Sequence, residues 1–161
     1  MKETRTLKIL HQTSLKRIFE VYTNRLRELV NLAWESEQSA ISLRESVKGW
    51  VLEGTPFTGH WKDSLCRQAV QIVKAGKAQE VKPEVRYDSI RLDIGLFRIH
   101  VGHVDITLNR HTHIQIPIND PRLLDYLNKE SDWRRGECTL TPKYVCLVFT
   151  REVENQPTND V

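Results

Sequence analysis

From Thr4 to His11 polar and apolar positions alternate, with Leu7 and Ile9 on one side and Thr6 and Lys8 on the other. That period of two predicts a short strand. The period then lengthens. Leu15, Ile18, Phe19, Tyr22, Leu26, Leu29, Val30 and Ala33 recur at helical spacing and predict a long amphipathic helix, with Thr13 or Ser14 as its N-cap. Its opposite face carries Lys16, Arg17, Arg25 and Arg27, which read equally well as a solvated face or as a phosphate-binding one. A second helical stretch spans Ser39 to Leu52, and "EGTPFTGHW" breaks it. A third helix is expected from His60 to Lys74, with Gly76 near its C-cap and Pro83 beyond.

At Pro83 the pattern changes again. "SIRLD", "LFRIHV", "HVDITLN" and "THIQIPI" alternate over short runs divided by Gly95, Gly102 and "NRH", as antiparallel strands do. "NDPRLLDYLNK" predicts one short helix capped by Asn119 or Asp120 with Pro121 in its first turn. "ECTLTPKYVCLVFTREV" adds two strands joined through "TPK". A lone first strand is not stable by itself and must join a sheet, and the late strands form the only sheet on offer. The predicted class is therefore α+β: a small antiparallel β-barrel or sandwich with a helical lobe inserted after its first strand. In residues, 1–11 form that strand, 12–82 the helical lobe, 83–154 the rest of the β unit, and 155–161 a linker or tail.

With 161 residues, 39% of them hydrophobic and 28% charged, the chain has the composition of a globular protein. No apolar run approaches the roughly 20 residues that span a bilayer, so no membrane partner is expected. "MKETRTLKIL" interleaves its charges with its apolar residues and predicts no secretory leader. Cys66, Cys138 and Cys146 are few, odd in number and outside any CxxC pattern, which favours a reducing cytoplasm over a disulfide framework or a cysteine zinc site. Cys146, within "YVCLVF", reads as a small buried apolar side chain. The net charge of +3 is unevenly spread: residues 1–80 hold 13 Lys/Arg against 9 Asp/Glu, and residues 81–161 hold 11 against 12. Phosphate contacts need local clusters more than a large total, so the front half is the better candidate for nucleic acid.

Catalytic chemistry finds little footing. His100, His103, His111 and His113 invite a metal reading, because "HTH" places two imidazoles on one strand face and Asp105 lies near. Alternation with Ile114, Ile116 and Ile118 explains the same residues as an ordinary outward face. GxSxG and P-loop motifs are absent. Asp88, Asp93 and Asp105 fit the wet face of a sheet as well as they fit a carboxylate cluster. No cofactor is implied. A polar β face with Arg86, Arg91, Arg98, Arg110, His111 and His113 suits a phosphate backbone, joined by Lys62 and Arg67 from the third helix. Trp50, Trp61 and Trp133 offer base stacking, or simply core packing.

The order of these parts resembles the N-terminal region of the TnpB (OrfB) proteins of insertion sequences, RNA-guided nucleases related to the type V CRISPR effectors. "TRTLKIL" is similar to their opening strand, "TSLKRIFEVYTNRLRELVNLAWE" to their first recognition helix, and "WKDSLCRQAVQIVKAG" to a later one. "SIRLD…GLFRIHVGHVDITL…IQIPI" and "RGECTLTPKYVCLVFTREVE" resemble the strands that precede their nuclease domain. The resemblance implies a wedge-type β-barrel interrupted by a recognition lobe, binding structured guide RNA and the duplex it forms with target DNA. It also implies that "REVENQPTNDV" leads toward a RuvC-like domain, so that these residues bind without cleaving. Two other classes stand beside it. One is a protein–protein module or inhibitor of a virus or mobile element that docks through the long helix. The other is a small metal-dependent enzyme built on the histidines.

Overall fold

A computed structural model describes residues 1–154 apart from 38, 48, 49, 87 and 88; Asp88 and the predicted tail at 155–161 lie outside it. The chain runs β1 (Lys2–Leu10), α1 (Lys16–Glu35), α2 (Ala40–Val47), a 3-10 turn at Trp50–Leu52 and α3 (Gly59–Ala78). It continues through β2 (Ile90–Leu92), a 3-10 turn at Ile94–Leu96, β3 (Phe97–Ile99), β4 (His103–Asn109) and β5 (Thr112–Pro117). Last come α4 (Leu123–Leu127), β6 (Arg134–Leu140) and β7 (Tyr144–Glu152).

The first strand pairs with the last. β1 lies antiparallel to β7 from Lys2 opposite Glu152 to Leu10 opposite Tyr144. All three long helical segments are therefore an excursion between strands of one sheet. His11 fastens the exit from β1: its amide donates to the Lys143 carbonyl at 2.9 Å, and its ring Nε2 donates to the Thr141 carbonyl at 3.0 Å.

Two antiparallel sheets result, ordered β1-β7-β6-β2 and β3-β4-β5. Leu7, Ile9, Ile90, Leu92, Leu140, Val145, Leu147 and Phe149 of the first share one core with Phe97, Val104, Ile106 and Ile116 of the second. The arrangement is sandwich-like. The expected barrel does not close, and the reason is local. Between β2 and β3 the 3-10 turn at Ile94–Leu96 carries the chain from one sheet to the other and interrupts the ladder. The free edge of β2 is then satisfied by a helix. Asp93 N donates to Ser64 Oγ at 3.3 Å and Arg91 N to Gln68 Oε1 at 3.2 Å. Residues four apart on a helix rise about 6 Å, and residues two apart on a strand about 6.6 Å, so the two spacings match. Covering an edge this way removes a pairing hazard.

α1 packs its apolar stripe inward, with Phe19, Tyr22, Leu26, Leu29, Val30 and Ala33 buried and Tyr22 set edge-on to Trp61 of α3 at 6.0 Å. Its N-terminus departs from expectation. Helical turns begin at Lys16 with the buried Leu15 in the N-cap position, so neither Thr13 nor Ser14 caps it; Thr13 N instead donates to His11 Nδ1. α3 extends past Lys74 to Ala78. Gly76 lies inside it and is not the cap; Glu80, at φ 58°, is the left-handed residue that ends the helix. Val81 N donates to the Gly76 carbonyl at 3.0 Å and Glu80 N to that of Lys77 at 3.2 Å, the paired bonds of a Schellman ending.

Candidate nucleic-acid interface

Lys16 and Arg17 open α1 exposed, and the first turn holds no acid. The unpaired amides of a helix N-terminus favour anions, so each cation there costs about 0.3–1 kcal/mol until an anion arrives. Beside them lies a groove of about 490 Å³ walled by Leu15, Phe19 and Pro142 and edged by Glu20. A second concavity of about 470 Å³, between Leu10–Thr13 and Pro117–Asn119, meets the first at Thr13.

Arg25 and Arg27 do different work. Arg25 Nη2 donates to the Glu53 carbonyl at 2.8 Å and Nη1 lies 3.4 Å from Glu28, while its Nε is buried without a partner. Arg27 donates from Nε and Nη2 to the Val85 carbonyl at 3.2 and 3.1 Å. Both sit on the flanks of the apolar stripe and reach across to neighbouring chain. They fasten the loop after the 3-10 turn and the segment before β2 onto α1, so the expected basic face keeps only its first two members.

The helical and β2 cations divide likewise. Lys62 is half-buried on α3. Arg67 is exposed but spans Asp93 and Glu137, each at 3.3 Å. Arg91 is exposed and bonded to Gln71, a neutral partner that leaves its charge uncompensated. Arg86 is exposed on the wall of a cleft of about 300 Å³ between α1, α3 and the chain entering β2.

On the three-stranded sheet, Val104, Ile106 and Leu108 point inward while His103, Asp105, Thr107 and Asn109 point out. Arg98 is exposed opposite Asp105. Arg110 and His111 occupy the turn between β4 and β5, where His111 N donates to Asn109 Oδ1 at 2.9 Å. The two imidazoles of "HTH" therefore do not share a strand face. His113 Nδ1 sits 3.3 Å from Thr107 Oγ1 and 3.6 Å from Asp105 Oδ2. His100, before the turn, and His103, the first residue of β4, stack ring on ring at 4.5 Å. Among the described residues no group of three or more His, Cys, Asp or Glu side chains gathers where one ion would reach them.

Trp61 is a core residue: 0% exposed, stacked on Phe57 at 4.3 Å, with Nε1 donating to the Thr107 carbonyl at 2.8 Å. Trp133 lies between Tyr126 at 5.1 Å and the Arg151 guanidinium at 4.4 Å. Trp50 is 40% exposed and remains available. The cysteines also change places. Cys66 and Cys138 are buried, with burial raising both thiols, Cys66 to about 11, whereas Cys146 is half-exposed on the outer face of the four-stranded sheet. That outer face also carries Lys2, Lys8, Arg134 and Tyr144, of which only Lys8 stands out in the sequence, as a polar position of the first strand. Its signal was present in "TRTLKIL", where Thr4, Thr6 and Lys8 are outward and Leu7 and Ile9 are buried.

No helix among the described residues is long and apolar enough to cross a membrane. No protein-family model matches the chain, and no curated protein matches it.

Proposed function

We propose that this chain is a nucleic-acid-binding module of the TnpB/OrfB kind, holding structured RNA and the duplex that RNA forms with DNA, in a reducing, cytoplasmic setting without itself cutting either strand. The observation that carries the reading is the pair Lys16 and Arg17, exposed and without acidic partners at the amide end of a twenty-residue helix. The family part of the reading draws support from connectivity, a first strand paired with the last and helices between.

A protein partner docking on α1 is less well served, since the apolar stripe of that helix is spent inside the molecule and only Leu32, 39% exposed, stands out. The test is binding to a stem–loop RNA across a salt series. Paired Lys16→Glu and Arg17→Glu substitutions remove two phosphate contacts and should lower the slope of log affinity against log salt by about 1.4 to 1.8. Binding that ignores salt, or survives the double reversal unchanged, overturns the proposal.

A further inference from the structure

The strand register assembles a surface that no single segment of sequence displays. One residue from each strand of the four-stranded sheet forms the outward row Lys8, Cys146, Thr139 and Arg91. With strands about 4.8 Å apart, the two cations at its ends stand about 14 Å from each other across the sheet. A parallel row sets Thr4, Thr150 and Arg134 side by side. Lys2 faces Glu152 at the end of the ladder.

This outward face holds Lys2, Lys8, Arg91 and Arg134, all exposed, against Glu152. Asp93, just past β2, and Glu137, exposed on β6, share the single charge of Arg67. The Lys8 ammonium is held 4.1 Å over the Tyr144 ring, which orders it without neutralising it. Between the cations stand the hydroxyls of Thr4, Thr6, Thr139 and Thr150, and at the central strand the half-exposed Cys146 and Val148. On the opposite side of the same strands Leu7, Ile9, Val145, Leu147 and Phe149 are core. We infer that this outer face is a second binding surface, laid out for the sugar-phosphate backbone of RNA. The cations meet phosphates and the threonine hydroxyls meet phosphate oxygens and ribose 2′-hydroxyls.

For its class of partner the inference rests on the nucleic-acid reading, but it concerns different residues and fails separately. The experiment compares the full chain with its Lys8→Glu/Arg134→Glu variant on a stem–loop RNA and on DNA of the same sequence, between roughly 50 and 200 mM salt. In parallel, alkylation of Cys146 in the unaltered protein is timed with and without saturating RNA. Cys146 reports from the middle of the row, and it requires no substitution.

The expected result is an RNA slope lowered by about 1.4 to 1.8 in the variant, weaker binding of the DNA, and Cys146 alkylated several-fold more slowly when RNA is bound. If RNA binds but the variant keeps the full slope, or Cys146 reacts at the same rate with RNA present, the outer face is not a contact surface, while the α1 reading stands. Equal loss on DNA and RNA overturns the assignment to RNA. No binding by the unaltered chain overturns both.

Discussion

Gln68 is the joint on which α1, α3 and β2 meet, and its replacement can be worked through in numbers. The side chain is 5% exposed. Its Oε1 accepts from the Tyr22 hydroxyl at 2.5 Å and from Arg91 N at 3.2 Å, and its Nε2 donates to the Ser89 carbonyl at 3.3 Å. Gln68→Leu keeps the volume and the helix propensity but removes every one of these bonds. The Tyr22 hydroxyl, on a residue 0% exposed, is then buried without a partner, which costs about 1–3 kcal/mol. Arg91 N and the Ser89 carbonyl lie at a sheet edge that water can reach, so each loss there is nearer 0.5 kcal/mol. The sum is about 2–4 kcal/mol. Tyr22→Phe alone should cost only about 0.5–1.5 kcal/mol, because Gln68 keeps Arg91 N as a donor. In the double variant no hydroxyl is stranded, so the two losses should fall short of additive by about 1–2 kcal/mol. Urea unfolding followed by circular dichroism measures all three, with the slope m unchanged if only the native joint is affected. Additivity within about 0.5 kcal/mol would refute the claim that Gln68 exists to satisfy Tyr22.

Gly76→Ala should destabilise by about 1–2 kcal/mol in the same assay, although alanine is the better helix former. The new Cβ would stand 2.7 Å from Pro83 Cδ and 2.8 Å from the Val81 carbonyl oxygen. Glu80→Gly should stabilise by about 1 kcal/mol, since the residue sits at φ 58° where a side chain is strained; a loss of stability would contradict the Schellman ending. Acid titration should expose the Glu3–Arg151 pair. Hydrogen bonding from Arg151 lowers the Glu3 carboxyl below its ordinary 4.5, so its contribution is full above that pH and is lost as pH falls through the lowered value. The destabilisation caused by Arg151→Ala should therefore be larger at pH 7 than at pH 3, and, both groups being partly solvated, should shrink in high salt; a pH-independent difference would leave Arg151 only its packing against Trp133.

That β1 joins the late strands was legible in the sequence on thermodynamic grounds, since a short alternating strand needs a partner and only late strands could supply one; that β7 is the partner was not. The roles of Arg25 and Arg27 were not legible. Their partners are the backbone carbonyls of Glu53 and Val85, and a carbonyl leaves no mark in a sequence. The turn at Arg110–His111 was legible as the break "NRH", but that it takes His111 out of the strand was not; the signal is Asn109, whose side chain accepts the His111 amide. Gly76 drew attention as a helix stop, whereas it is required by the close return of Val81 and Pro83. Sequence separates those two uses of glycine poorly, since both place it near a helix end.

The mild net charge of +3 resolves once the cations are sorted by partner. Arg44, Arg67, Arg122 and Arg151 are each ion-paired with a carboxylate, so they add nothing to an outward field beyond what their partners remove. Among the described residues Lys8, Lys16, Arg17, Arg98 and Arg134 have no carboxylate within ion-pair distance. Counterion release counts the phosphates contacted and is indifferent to the total charge. Were α1 the whole interface, Lys16 and Arg17 would give a salt slope of only about −1.4 to −1.8. Adding Lys2, Lys8, Arg91 and Arg134 raises it to roughly −4 to −5. The slope of the unaltered chain thus discriminates between one surface and two before any residue is changed, and a value near −2 would confine binding to the start of the first helix.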